Sequence, residues 1–325
     1  MTIPSWAFVV GGLAATPAVA LVLALWPWGA TKEPEGGLDF TATLGASHQA
    51  LPMASLTRRD GTQQAFRFVD GPDGTPLVVM IHGSGWHGRQ FEGLAAQVGA
   101  VADVVVPDLR GHGVEPERRG DVDYIGQFED DLAELIAARA KPGQKVILLG
   151  HSSGGGLVVR FAGGARRDVI DGAVLLAPFL HHSVPTTRKN SGGWATVNLR
   201  RMIGLSILNT LQMTALNHLP VIRFAMPAAV LDGPLGATAT TEYSYRLNTS
   251  FAPRSKWQAD VAALPPFLLL AGRQDEAFVA DAYKPELSAH NPSGAYELID
   301  GVGHLAVVDA PRTAAAVSAF VAGFR

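Results

Sequence analysis

The feature that most constrains this chain is the stretch Lys145-Val-Ile-Leu-Leu-Gly-His-Ser-Ser-Gly-Gly-Gly156. Val146 to Leu149 is a short β-branched and leucine run, the mark of a strand buried on both faces. It ends in Gly150-His-Ser-Ser-Gly154, a G-x-S-x-G. The small and aliphatic residues from Gly155 to Phe161 then open a buried helix. A serine between strand and helix sits on a turn so tight that side chains at the flanking positions would collide, hence the glycines. The turn holds the Ser152 hydroxyl above the end of a sheet, at the positive end of a helix dipole.

Around this stretch the chain alternates. Met53 to Thr57 and Ala65 to Val69 read as an antiparallel hairpin through Arg59-Asp-Gly61, and Asp70-Gly-Pro-Asp-Gly74 is a second turn. Leu77 to Ile81 is a continuous apolar strand, followed by a helix over Phe91 to Val98 and the strand Val104 to Val106. Tyr124 to Ala138 is an amphipathic helix with Ile125, Phe128, Leu132, Leu135 and Ile136 at helical spacing. After the serine turn come strands at Gly172 to Leu176, Phe267 to Leu270 and Tyr296 to Ile299, then a helix near Thr313 to Phe324. The predicted fold class is α/β, a mostly parallel sheet covered by helices on both faces.

Residues 179–266 break the rhythm with no clear core strand. Met202 to Met213 is helical in pattern, and Leu219 to Leu231 is apolar but interrupted by Pro220 and Pro227. An insertion at the carboxyl ends of strands is where a helical cap would sit, here about 180–260. An apolar underside would favour hydrophobic substrates.

The N-terminus sets a separate problem. Trp6 to Trp28 carries no charged side chain, and tryptophans stand near both ends. The stretch is long enough for a hydrocarbon core of about 30 Å, and Pro17 would only kink such a helix. A cleaved signal peptide lacks its basic start and its A-x-A site here, and a buried helix of the globular domain is the remaining alternative. The expectation is a transmembrane anchor or uncleaved signal over 1–30, a polar linker over 31–52 and a catalytic domain over 53–325. It makes the chain a single-pass membrane protein, the side of its catalytic domain undetermined, with the membrane as a partner.

A hydroxyl needs an adjacent base, and the base an orienting acid. His304 follows the strand Tyr296 to Ile299, and Asp275 follows Phe267 to Leu270. Both fall at carboxyl ends of parallel strands, on the rim that carries Ser152. The expected catalytic set is Ser152, Asp275 and His304. An oxyanion hole needs two backbone N–H groups. Ser153 should give one and the loop after Ile81 the other, Ser84 ahead of Gly85. Gly83, Gly85, Trp86, His151 and Phe179 are the expected substrate-binding residues. His82 and Trp86 brace the loop or line the pocket. Asp108, Arg110 and His112 read as a hydrogen-bonded brace rather than as catalytic groups.

The segments His82-Gly-Ser-Gly85, Pro107-Asp-Leu-Arg-Gly-His-Gly113, Gly150-His-Ser-Ser-Gly154, Gly272-Arg-Gln-Asp275 and Gly303-His304 together resemble the α/β-hydrolase superfamily, near its capped esterases and monoacylglycerol-lipase-like members. The resemblance runs from about residue 54 to the end. It implies an α/β-hydrolase fold with a cap, and a serine hydrolase acting on carboxylic esters, but it is not specific for substrate. A small-peptide or amide hydrolase on the same triad, or a non-catalytic membrane-tethered binding module, stays open. No cofactor is implied, and the absence of cysteine excludes thiolate metal sites and a cysteine nucleophile. No third ligand stands at metal spacing beside His151 or the His181-His182 pair, so no metal is assigned. A net charge of −3 without a basic run makes nucleic acid an unsuitable partner.

Overall fold

The computed structural model describes residues 16–29, 36–45 and 48–325. The chain is helical over residues 16–24 (α1) and Thr41–Gly45 (α2) before the sheet begins. A hairpin of β1 (Met53–Thr57) and β2 (Gln63–Val69) leads to β3 (Leu77–Ile81), α3 (Glu92–Val98) and β4 (Asp103–Pro107). Then follow α4 (Gln127–Arg139), β5 (Val146–His151), α5 (Ser153–Ala162) and β6 (Gly172–Leu176). The insertion contributes β7 (Ala195–Val197), α6 (Leu199–Thr210), β8 (Pro220–Phe224), α7 (Ala228–Leu231), β9 (Glu242–Ser244), α8 (Tyr245–Phe251) and α9 (Trp257–Ala262). The chain closes with β10 (Phe267–Gly272), α10 (Tyr283–Ser288), β11 (Gly294–Ile299) and α11 (Pro311–Ala322).

Eight strands form the central sheet in the order β1-β2-β4-β3-β5-β6-β10-β11. Only β1–β2 and β2–β4 are antiparallel; the remaining pairs are parallel. The fold is that of an α/β-hydrolase. Every residue of β3, β4, β5, β6 and β10 is buried, which is why these strands read as unbroken apolar runs. The edge strand β1 alternates exposed and half-buried residues instead. Helix α5 is buried from Gly154 to Ala162, so its sequence is apolar all round rather than striped.

Two elements differ from their sequence reading. Helix α4 begins at Gln127, because Gly126 takes φ +102° and the Gln127 amide closes back on Asp123 at 2.9 Å. Tyr124 and Ile125 are therefore left in the preceding turn. Within the insertion, Pro220–Phe224 is a strand, the centre of a three-stranded antiparallel sheet β7-β8-β9 beside the helices. Proline at the first position of a strand removes no ladder hydrogen bond that the strand needs, and the apolar run alone does not separate helix from strand.

The membrane-spanning expectation for the N-terminus is overturned. Among the described residues no helix is long and apolar enough to cross a membrane. The first part of the expected span, residues 6–15, lies outside the described residues. In the remainder, α1 docks on the insertion: Ala20 and Ala24 are fully buried in a cluster with Leu205, Leu208 and Val221. The Arg201 guanidinium donates to the Ala24 and Trp26 carbonyls at 3.0 Å each. Trp26 lies under Arg200 at 4.5 Å and Trp28 under Arg223 at 4.3 Å. The two tryptophans at the end of the expected span are thus held by cation–π contacts to the protein's own arginines.

Candidate active site

The carboxyl ends of β3, β5, β10 and β11 converge on one rim, and four loops bring their residues together there. Ser152 follows β5 with φ +56°, a conformation that costs energy for any residue with a side chain. It is held from both sides: its N–H donates to the Leu176 carbonyl at 2.9 Å, and its carbonyl accepts from Phe179 at 2.9 Å. Glycine at 154 is a steric requirement, since a Cβ there would lie 2.2 Å from the Ile81 carbonyl oxygen.

Ser152 Oγ lies 3.0 Å from His304 Nε2, and His304 Nδ1 lies 2.8 Å from Asp275 Oδ2. All three side chains are buried, with Ser152 the most accessible at 7%. The other carboxylate oxygen of Asp275 accepts the N–H groups of Ala277 and Phe278 at 2.8 and 2.7 Å. The acid is therefore fixed in place by backbone donors and oriented toward the imidazole.

The backbone N–H of Ser84 and of Ser153 donates to no group among the described residues, and the two side-chain hydroxyls meet at 2.8 Å. Gly85, the alternative donor, is different: its N–H is taken up by the Tyr243 hydroxyl at 2.6 Å. Tyr243 belongs to the insertion, and its oxygen also lies 2.7 Å from His112 Nε2. His112 Nδ1 in turn faces the Arg110 carbonyl at 3.0 Å, which leaves Nε2 to accept the tyrosine proton. Burial holds the His112 imidazole well below its usual pKa and raises that of the Tyr243 phenol, so both are neutral.

The remaining sequence-derived candidates divide between lining and bracing. Gly83, Trp86 and His151 line a cleft beside Ser152 and His304, and Phe179 lines a second cleft on the other side of the serine. His151 also ties three loops together. Its Nε2 donates to the His304 carbonyl at 2.9 Å, and its Nδ1 accepts from Gln90 at 2.6 Å. Gln90 Oε1 accepts the Gly83 N–H at 3.2 Å. Burial and the neighbouring His304 keep His151 neutral. His82 Nε2 accepts the Leu109 N–H at 3.1 Å, and burial lowers its pKa to about 4. Asp108 accepts from Arg67 and from the Gly88 N–H at 2.8 Å each, and Arg110 forks onto Asp131 at 2.9 Å twice. These contacts occupy Asp108 and Arg110 in bracing the loop.

Four contributors escaped the reading of the sequence. Gln90 and Tyr243 belong to no motif. Glu276 accepts the His304 N–H at 2.7 Å and the Asp39 N–H at 3.2 Å; its position next to Asp275 was the one available hint. The fourth is the segment 36–45, read from composition as linker, which lies across the site with Leu38, Phe40 and Thr43 lining the cleft beside His304.

Comparison with known proteins agrees with this fold. A family model described as serine aminopeptidase, S33 (Hydrolase_4) matches residues 73–310. A monoacylglycerol lipase of Mycolicibacterium smegmatis is 39% identical over 100 residues, covering 29% of this chain and 35% of that protein. The human monoglyceride lipase is 33% identical over 138 residues, covering 41% of this chain and 44% of that protein. The chain thus spans about a third to a half of the length of the curated relatives it matches. Among solved structures, the Paleococcus ferrophilus monoacylglycerol lipase aligns with a TM-score of 0.59 and 19% identity, covering 81% of this chain and all of that one.

Proposed function

The chain belongs to the Hydrolase_4 family of serine-aminopeptidase-type α/β-hydrolases, and on that premise we propose that it cleaves carboxylic esters of hydrophobic acyl groups. One observation carries the reading: Ser152 Oγ, His304 Nε2 and Nδ1, and Asp275 Oδ2 stand in hydrogen-bond sequence between two apolar clefts. Ser152 Oγ attacks the ester carbonyl carbon while its proton passes to His304 Nε2. The N–H groups of Ser84 and Ser153 receive the negative charge on the carbonyl oxygen. Collapse breaks the bond to the alcohol oxygen, which leaves with the proton held on His304. Water then adds to the acyl-serine, gives its proton to His304, and the acid departs as that proton returns to Ser152.

The family description favours a second reading, removal of an amino-terminal residue from a small peptide on the same triad. Such a substrate brings a protonated amine beside the scissile bond, and a buried cation needs a carboxylate partner. Neither cleft beside Ser152 is lined by an aspartate or glutamate among the described residues. That supports esters over aminopeptidase substrates.

The test is labelling of the purified protein with a fluorophosphonate probe, followed by an ester panel. Labelling should appear in the native protein and vanish in Ser152→Ala, which keeps the fold. Retained ester hydrolysis in that variant rules the assignment out. Labelling with amine release from dipeptides and no ester turnover returns the peptidase reading, and no labelling of well-folded protein returns the non-catalytic binding module.

A further inference from the structure

The serine is flanked by two clefts, and the chemistry distinguishes them. Three groups surround the tetrahedral carbon on Ser152 and point in different directions: the oxyanion, the leaving oxygen and the acyl chain. The oxyanion faces the N–H groups of Ser84 and Ser153, and the leaving oxygen must reach His304 Nε2 to be protonated. His304 lines only the cleft that also holds Leu38, Phe40, Thr43, Trp86 and Leu305. Ser153 lines only the other, which runs under the insertion between Phe179, Ile222, Phe224, Phe251 and Phe278. We infer that the cleft beside His304 is the alcohol subsite, the cleft under the insertion is the acyl subsite, and Phe40 sets the size of the alcohol accepted.

This rests on the ester reading above and adds to it the class of leaving group. The alcohol subsite is walled by aromatic and aliphatic side chains, and its amide, Gln90, has both ends engaged by Gly83 and His151. Beyond the catalytic groups, its other side-chain polar groups are the Thr43 hydroxyl, the Ser84 hydroxyl paired with that of Ser153, and the indoles of Trp86 and Trp194. A compact apolar or aryl alcohol suits it better than a polyol, whose hydroxyls would be left without partners. Phe40 is part of its wall: it is 7% exposed, with its ring 6.0 Å from that of Trp86 and 5.8 Å from that of Trp194. The cleft as it stands has about 20 Å³ of free space, room for one water. An alcohol therefore enters only as the lining yields, and Phe40 is one of the large side chains that form it.

The segment that carries Phe40 is fastened independently of the ring. The Asp39 N–H donates to Glu276, the residue that also holds the His304 backbone, and Asp39 accepts the Thr41 N–H at 2.8 Å. His48 meets Asp309 at 3.3 Å beyond it. Trimming Phe40 thus widens the cleft while these anchors stay in place.

The experiment uses the full chain and two substrate series. One varies the alcohol at constant acyl group (methyl, phenyl and 2-naphthyl acetate); the other varies the acyl group at constant alcohol (p-nitrophenyl acetate to decanoate). Phe40→Ala should raise kcat/KM for 2-naphthyl relative to phenyl acetate by about tenfold and leave the acyl-length profile in place. Ile222→Ala, in the other cleft, should do the reverse. Phe40→Leu should shift the alcohol ratio in the same direction by a smaller factor, and it decides the matter should the alanine variant fail to fold. An unchanged alcohol ratio, or a Phe40 effect confined to the acyl series, overturns the subsite assignment while the ester reading stands. Absence of hydrolysis of every ester by the native protein overturns both.

Discussion

Replacing Tyr243 with phenylalanine deletes one oxygen atom and tests how the insertion holds the oxyanion loop. The hydroxyl accepts the Gly85 N–H at 2.6 Å and faces His112 Nε2 at 2.7 Å, both fully enclosed. Phenylalanine keeps the ring against Phe251 (6.0 Å, 14°) and Phe224 (4.7 Å, 73°), so packing is conserved. What changes is that a buried N–H and a buried imidazole nitrogen lose their partner together. Each such orphaned group costs roughly 1–3 kcal/mol, which puts the variant about 2–6 kcal/mol below the native protein. Its thermal midpoint should drop by roughly 5–10 °C. Gly85 neighbours the proposed donor Ser84, so loosening it should also lower kcat by about tenfold. That is less than the 10²–10³ lost when a donor is removed outright. KM should stay within about twofold, because the ring that lines the acyl cleft is retained. Scanning calorimetry and steady-state hydrolysis of p-nitrophenyl esters read the two effects. An unchanged midpoint together with unchanged kcat refutes the claim that this contact positions the loop; a rise in KM at constant kcat would make Tyr243 a substrate contact instead.

Stability should fall on acidification between about pH 6.5 and 4. Burial lowers His82 and His87 to about 4 and holds His112 and His151 well below the ordinary value. The unfolded chain takes up these protons near pH 6.5 while the native state refuses them, so each histidine removes ~1.4 kcal/mol per pH unit inside that window and nothing above it. Urea midpoints at pH 7.5, 6 and 5 check this, and a flat profile from 6.5 to 5 contradicts it. Gly154→Ala drives a Cβ into the Ile81 carbonyl oxygen at 2.2 Å and should destabilise at the upper end of roughly 1–3 kcal/mol. A urea midpoint equal to the native one would show that the serine turn has more room than its geometry implies.

The sequence by itself determined the central sheet and the rim of the candidate site. Strands buried on both faces have no choice but unbroken apolar runs, so β3, β5, β6 and β10 are visible residue by residue. Ser152 and Asp275 follow such strands and His304 follows the edge strand β11, and parallel strands place their carboxyl ends on one edge. Tertiary structure decided everything that depends on contact between segments remote in sequence. Tyr243 meets Gly85 across 158 positions, and Glu276 meets Asp39 across 237, with no local pattern to announce either. The same limit misled the reading of the N-terminus. An uncharged stretch ending in tryptophans satisfies a bilayer and a protein groove equally well, and only Arg200, Arg201 and Arg223 of the insertion show that one face of α1 and the two tryptophans after it pack on protein. Local periodicity reports that a face is buried; what buries it is a property of the assembled fold.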